Sequence, residues 1–134
     1  MSAARKHAQA ADDAVMRGEV LGPLHGIPIT MEDSIDVVGF ASTWGVRDLK
    51  DNRPAKGAPV VDMLTSAGAI VSGKTNVPWF ALSWETFNDL HITTENPWNV
   101  PRAPGSSSGG SAAAPTAGLS FCSDAPAFLR NPAH

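Results

Sequence analysis

Only one cysteine, Cys122, occurs in the 134 residues. That excludes an internal disulfide framework and a cysteine-rich zinc site. Charge is also sparse: Asp, Glu, Lys and Arg make up 17% of the chain, with a formal net charge of -3. A basic surplus is missing, and with it the electrostatic footprint of a protein that binds nucleic acid or an anionic membrane. No apolar run is long enough to span a bilayer, and the first residues lack the apolar core of a secretory signal. These absences favour a soluble, cytoplasmic chain with neither nucleic acid nor membrane as partner. What is present is 43% hydrophobic, the composition of a globular chain. Residues 1–134 suit a single domain, which at this size can bury roughly two-thirds of its unfolded surface.

The periodicity alternates between helix and strand. Ala4, Ala8, Ala11 and Val15 recur at helical spacing and predict a helix over about 3–17, ended by Gly18. Residues 27–31 read as a short buried strand with Pro28 near its start. After a loop-rich stretch over 33–57, Pro59 opens a helix with Val60, Val61, Leu64 and Ala67 on one face and Gly68 as its cap. Ala69–Ser72 follows as a core strand, and Pro78 opens a short helix carrying Trp79, Phe80 and Leu82. A small-residue helix is expected from near Ser108 to Ala117, kinked or ended early by Pro115, which cannot donate a backbone hydrogen bond. Helix, glycine and strand in this order define an α/β unit.

One pattern misleads. Gly68-Ala69-Ile70-Val71-Ser72-Gly73-Lys74-Thr75 fits the phosphate-loop motif letter for letter. That chemistry requires the loop to follow a strand and open into a helix. Here Ala69–Val71 is itself the strand, and Pro78 limits any helix after Thr75. A helix cap, a strand and a polar turn explain the letters better.

The most informative stretch is Gly105-Ser106-Ser107-Ser108-Gly109-Gly110-Ser111-Ala112-Ala113-Ala114. A flexible linker would have this composition, but a linker seldom runs straight into an alanine-rich helix. A Ser/Gly loop at a helix N-terminus supplies hydroxyls and free N–H groups, which suits an oxyanion or a hydroxyl relay. Around it stand Gly22-Pro23-Leu24-His25-Gly26-Ile27-Pro28-Ile29, Ala67–Pro78, Asn96-Pro97-Trp98-Asn99, Arg102–Ser111, Ser123-Asp124 and Leu129–His134. In this order the blocks resemble the amidase-signature family over nearly the whole chain.

The resemblance implies a metal-free, cofactor-free amide hydrolase acting on a small-molecule amide. In that family a neutral lysine accepts a proton from a bridging serine on a cis peptide bond, and that serine deprotonates the nucleophilic serine. The bridging serine maps to Ser107 and the second serine of the pair to Ser108. The lysine position holds Glu32, and the nucleophile position holds Phe128. Ala125, Pro126 and Ala127 stand where the glycine-rich oxyanion turn belongs. A glutamate cannot be the neutral amine of such a relay, phenylalanine has no nucleophilic atom, and Pro126 removes an N–H where the oxyanion would sit. Pro115 and the short Ser120-Phe121-Cys122 link are further departures, and the chain ends at His134 where family members continue.

The expectation is therefore a partial amidase-signature fold, helices packed on an incomplete mixed β-sheet, with the signature segment over about 102–118. Its function is that of an amide-hydrolase scaffold without turnover. The alternatives are a residual amide or ester hydrolase using Ser107 or Ser108 with Glu32 as base, and a non-catalytic assembly module that self-associates through an exposed sheet edge. A sequence altered by local frame errors would also explain Ala125–Phe128. His7, His25, His91 and His134 lack metal-ligand spacing. Cys122 and the four tryptophans read as packing residues, the latter alternatively as uncovered surface, and Glu32, Asp33 and Asp36 as a solvated acidic turn.

Overall fold

A computed structural model of the chain describes residues 3–19 and 22–124. Its regular elements are α1 (Ala3–Met16), β1 (Pro28–Glu32), α2 (Pro59–Ser66), β2 (Ile70–Thr75), α3 (Gly109–Thr116) and β3 (Cys122–Asp124). The strands form one sheet in the order β2-β1-β3, with both pairings parallel. The α/β class expected from sequence holds. Among the described residues the sheet is wholly parallel rather than mixed, because each strand reaches the next through a helix, and such a crossover returns the chain in the same direction.

β1 is the central strand, and its two faces differ. Ile29 and Met31 join Ile35, Val37, Val61 and Ala69 in the buried apolar core, with Val60 and Leu64 of α2 packed against it. Thr30 and Glu32 alternate to the other face, which α3 covers. There Thr30 Oγ1 contacts the hydroxyl of Ser123, and Thr75 Oγ1 lies 2.8 Å from Ser111 Oγ. Register across β1 and β2 is kept by a bulge. Ile29 pairs with Val71 and Thr30 with Gly73, leaving Ser72 as the extra residue, whose hydroxyl donates to the Ile29 carbonyl at 2.9 Å.

The helix ends follow local rules. Pro59 occupies the first turn of α2, where its missing N–H has no partner to lose. Gly68 leaves that helix at φ 98°, and a Cβ there would lie 2.7 Å from His25 Cα, so only glycine fits the return to β2. In α1 the buried residues are Ala11 and Ala14, while Val15 is exposed; the His25 ring Nε2 donates to the Ala11 carbonyl at 3.0 Å, so this helix presents its smallest side chains to the body. Pro115 is accommodated inside α3, which runs to Thr116 with the Ala117 amide still donating to the Ala113 carbonyl at 2.9 Å, so the early end expected from the proline does not occur. The segment after Pro78 is only a single 3-10 turn, Trp79–Ala81, with Phe80 at φ 49° and Ala81 at φ 58°. Backbone in that left-handed region cannot extend a right-handed helix.

Two packing expectations fail. Cys122 is exposed: it lies on strand β3, at the edge of the sheet among the described residues, next to Ser123, which turns to the α3 face, and neither residue belongs to the apolar core. The tryptophans are also exposed, Trp84 at 77% and Trp98 at 85%, so the reading that stands for them is uncovered surface.

Backbone meets backbone closely at α3. A Cβ on Gly110 would lie 2.4 Å from both the amide nitrogen and the carbonyl oxygen of Asn76. Gly110→Ala is expected to lower stability by about 2–3 kcal/mol, since backbone on both sides cannot yield. Gly73→Ala, with nothing within 4 Å of its Cβ, should change stability by less than about 0.5 kcal/mol. Urea unfolding of the two variants checks the contrast.

Candidate functional site

Glu32 ends β1 with no solvent exposure, and Asp33 after it is buried as well. This overturns the reading of these two as a solvated acidic turn. A central parallel strand is covered on both faces, so a residue at its carboxyl end is enclosed whatever its polarity. Buried carboxylates require partners, and the loop that follows supplies them. Ser34 Oγ donates to Glu32 Oε2 at 2.9 Å. Asp33 Oδ2 accepts from the Thr43 hydroxyl, from the Thr43 amide at 3.1 Å and from the Gly45 amide at 3.4 Å.

The Ser/Gly loop arrives at the same end of the sheet. Glu32 pairs with Thr75 across β1 and β2, and Thr75 meets Ser111 in the first turn of α3. Glu32 and the helix start are thus joined through one threonine. Ser108 is the residue before α3, the Ser106–Ser107 peptide bond is cis, and Ser107 and Ser108 are half-buried. The Ser106 hydroxyl donates to the Ser83 carbonyl at 2.5 Å. β3 reaches the same end, with Asp124 opposite Met31. Phe128, Ala125, Pro126 and Ala127 lie outside the described residues.

Lys74 is the cation that sequence reasoning passed over. It pairs with Met31, whose side chain faces the apolar core, so it projects from the face opposite Ser111. Its Nζ donates to the carbonyls of Ile35 at 2.7 Å, Ala41 at 3.2 Å and Asp33 at 3.4 Å. The ammonium therefore ties the 33–43 loop over the end of β1 and does not reach the serine loop. In sequence it lay inside both the phosphate-loop lookalike and the Ala67–Pro78 block, with no role of its own attached. Gly73, Lys74 and Thr75 prove to be the last three residues of β2, which removes the helix that motif needs.

A polar cleft of 440 Å³ beside Lys74 is lined by Asp33, Asn76, His91 and Thr94. An apolar groove of 450 Å³ lies away from the serines, against α1 and α2. Among the described residues no cluster of His, Cys, Asp and Glu could hold a metal ion, and no helix is long and apolar enough to cross a membrane.

Comparison with known proteins agrees with this arrangement. The family model named Amidase matches residues 1–133. A glutamyl-tRNA(Gln) amidotransferase subunit from Carboxydothermus hydrogenoformans is 40% identical over 131 residues, 96% of this chain and 27% of that protein. Its counterpart from Chloroflexus aurantiacus is 43% identical over 134 residues, 98% of this chain and 28% of that protein. Among solved structures, native peptide amidase from Stenotrophomonas maltophilia superposes with a TM-score of 0.83 and 36% identity over 87% of this chain and 25% of its own. The corresponding glutamyl-tRNA(Gln) amidotransferase subunit from Thermotoga maritima superposes at 0.75 with 32% identity, over 90% of this chain and 30% of its own. The chain belongs to the amidase-signature family, and it spans about a quarter of the length of these relatives.

Lys74 yields a pH test. Burial pushes its pKa below the ordinary 10.5, against the opposing pull of Asp33, Asp36 and Glu32. Over the interval between the lowered value and 10.5 the unfolded chain holds more protons than the folded one, so stability rises with pH there. Lys74→Met should abolish that rise. Near neutrality it should cost about 1–3 kcal/mol, because three carbonyls lose their donor. Urea midpoints for both proteins from pH 7 to 10.5 check both parts.

Proposed function

We propose that this chain is an amidase-signature scaffold that keeps the serine loop but does not run the family's proton relay. The observation that carries the reading is Glu32: a fully enclosed carboxyl, hydrogen-bonded to Ser34, at the position of the relay lysine. A carboxylate there is committed to its local partner and cannot offer the lone pair of a neutral amine. Lys74, on the neighbouring strand β2, projects from the other face and donates to carbonyls of the 33–43 loop. Phe128 at the nucleophile position and Pro126 in the oxyanion segment support the same conclusion from their chemistry alone. Ser107 and Ser108 are then the middle of a relay whose two ends are replaced. Any substrate would be a small-molecule amide, with no metal or cofactor taking part.

The relatives named as subunits of an amidotransferase, together with the outer strands β2 and β3 of the sheet among the described residues, support a role within a larger assembly, in the cytoplasm, over one that depends on this chain's own turnover.

The expected result is no hydrolysis of an aryl amide such as p-nitroacetanilide above the buffer rate, and no serine labelled by a fluorophosphonate probe. Specific labelling that disappears in Ser107→Ala or Ser108→Ala would sink the proposal. So would turnover lost in both Ser107→Ala and Glu32→Gln, which would assign the carboxylate as a base.

A further inference from the structure

Thr86 lies outside every signature block, in a loop-rich stretch whose sequence predicts no particular role. It is nevertheless 1% exposed, and its side chain sits between the two ends of the serine loop. Its Oγ1 donates to the Gly105 carbonyl at 3.3 Å and accepts from the Gly109 amide at 3.1 Å. One hydroxyl thus closes the segment that contains Ser106, Ser107 and Ser108. A hydroxyl suits this double duty because it donates one proton and still accepts. The fit is close: a Cβ on Gly109 would lie 2.3 Å from Thr86 Oγ1.

Thr86 is itself anchored to the sheet. Its carbonyl accepts from the Thr94 amide at 2.9 Å. The Thr94 hydroxyl accepts from Asn76 Nδ2 at 3.0 Å, and Asn76 Oδ1 accepts from Asn88 Nδ2 at 2.6 Å. Asn76 directly follows β2 and is the residue against which Gly110 packs. A continuous set of hydrogen bonds therefore runs from the carboxyl end of β2, through Asn76, Thr94 and Thr86, to both ends of the serine loop.

We propose that Thr86 is the positioning residue of the serine loop, its single hydroxyl clamping Gly105 to Gly109 so that Ser107 and Ser108 are held at the carboxyl end of the sheet. This rests on the reading of residues 105–110 as the signature loop of an amidase scaffold. It concerns the loop's shape and not turnover, so it can fail while that reading stands.

The test is amide hydrogen exchange read by mass spectrometry on the intact chain. In Thr86→Val, which keeps the shape and loses the hydroxyl, exchange of the amides in 105–110 should accelerate about tenfold, the effect of one lost buried hydrogen bond. Amides of β1 and β2 should keep their wild-type rates. Thr86→Ser should restore protection of 105–110. Should Thr86→Val fail to fold, Gly109→Ala, which drives a methyl into the hydroxyl, should give the same local signature. Unchanged exchange at 105–110 in the folded variants, or acceleration spread equally over β1 and β2, would overturn the proposal.

Discussion

At Gly110 the backbone of α3 lies against the backbone of Asn76 with no room for a single methyl group. The geometry of the serine loop depends on that approach. It brings Ser111 within 2.8 Å of Thr75 and sets Gly109 against Thr86, which fixes where the loop of Ser107 and Ser108 meets the sheet. A helix of ordinary side chains would stand several ångströms further off. The composition of α3, glycine and alanine at most positions, follows from contact distance more than from helix propensity, which glycine lowers by about 1 kcal/mol relative to alanine.

The same approach explains why the sheet has one apolar and one polar face. On the α2 side, large aliphatic side chains fill the gap and exclude water. On the α3 side the gap is too thin for them, and hydroxyls fill it: Thr30 with Ser123, Thr75 with Ser111. Buried hydroxyls are tolerable only when paired, so this face is a set of short polar contacts. Glu32 ends that face and is enclosed with it. The opposite face receives Lys74, whose ammonium fastens the following loop. The alternation of side chains across the paired strands β1 and β2 thus puts Glu32 and Lys74 on opposite faces of the sheet.

Much of this was legible beforehand. The boundaries of α1 and α2 followed from apolar spacing and from Pro59, Gly18 and Gly68, because caps and breakers act through the local backbone. The phosphate-loop lookalike could be rejected for the same local reason. Legibility failed where contacts join distant segments. Thr86 and Gly105 are 19 residues apart, and Thr30 and Ser123 are 93 apart, so no window of sequence holds both partners. The exposure of Cys122 was missed because an edge strand and a central strand share one residue pattern, and only the strand order tells them apart.

The sequence by itself determined the family, through blocks of residues in a fixed order, and the chemical identity of the groups in play: a carboxyl at Glu32 and hydroxyls at Ser107 and Ser108. Those are properties of atoms, and no fold can alter them. Only the tertiary structure decided that Glu32 is enclosed rather than solvated, that Lys74 faces away from the serines, and that Thr86 closes their loop. Burial, sidedness and long-range contact arise when segments far apart in the chain are packed together, and that packing is set by the whole chain at once.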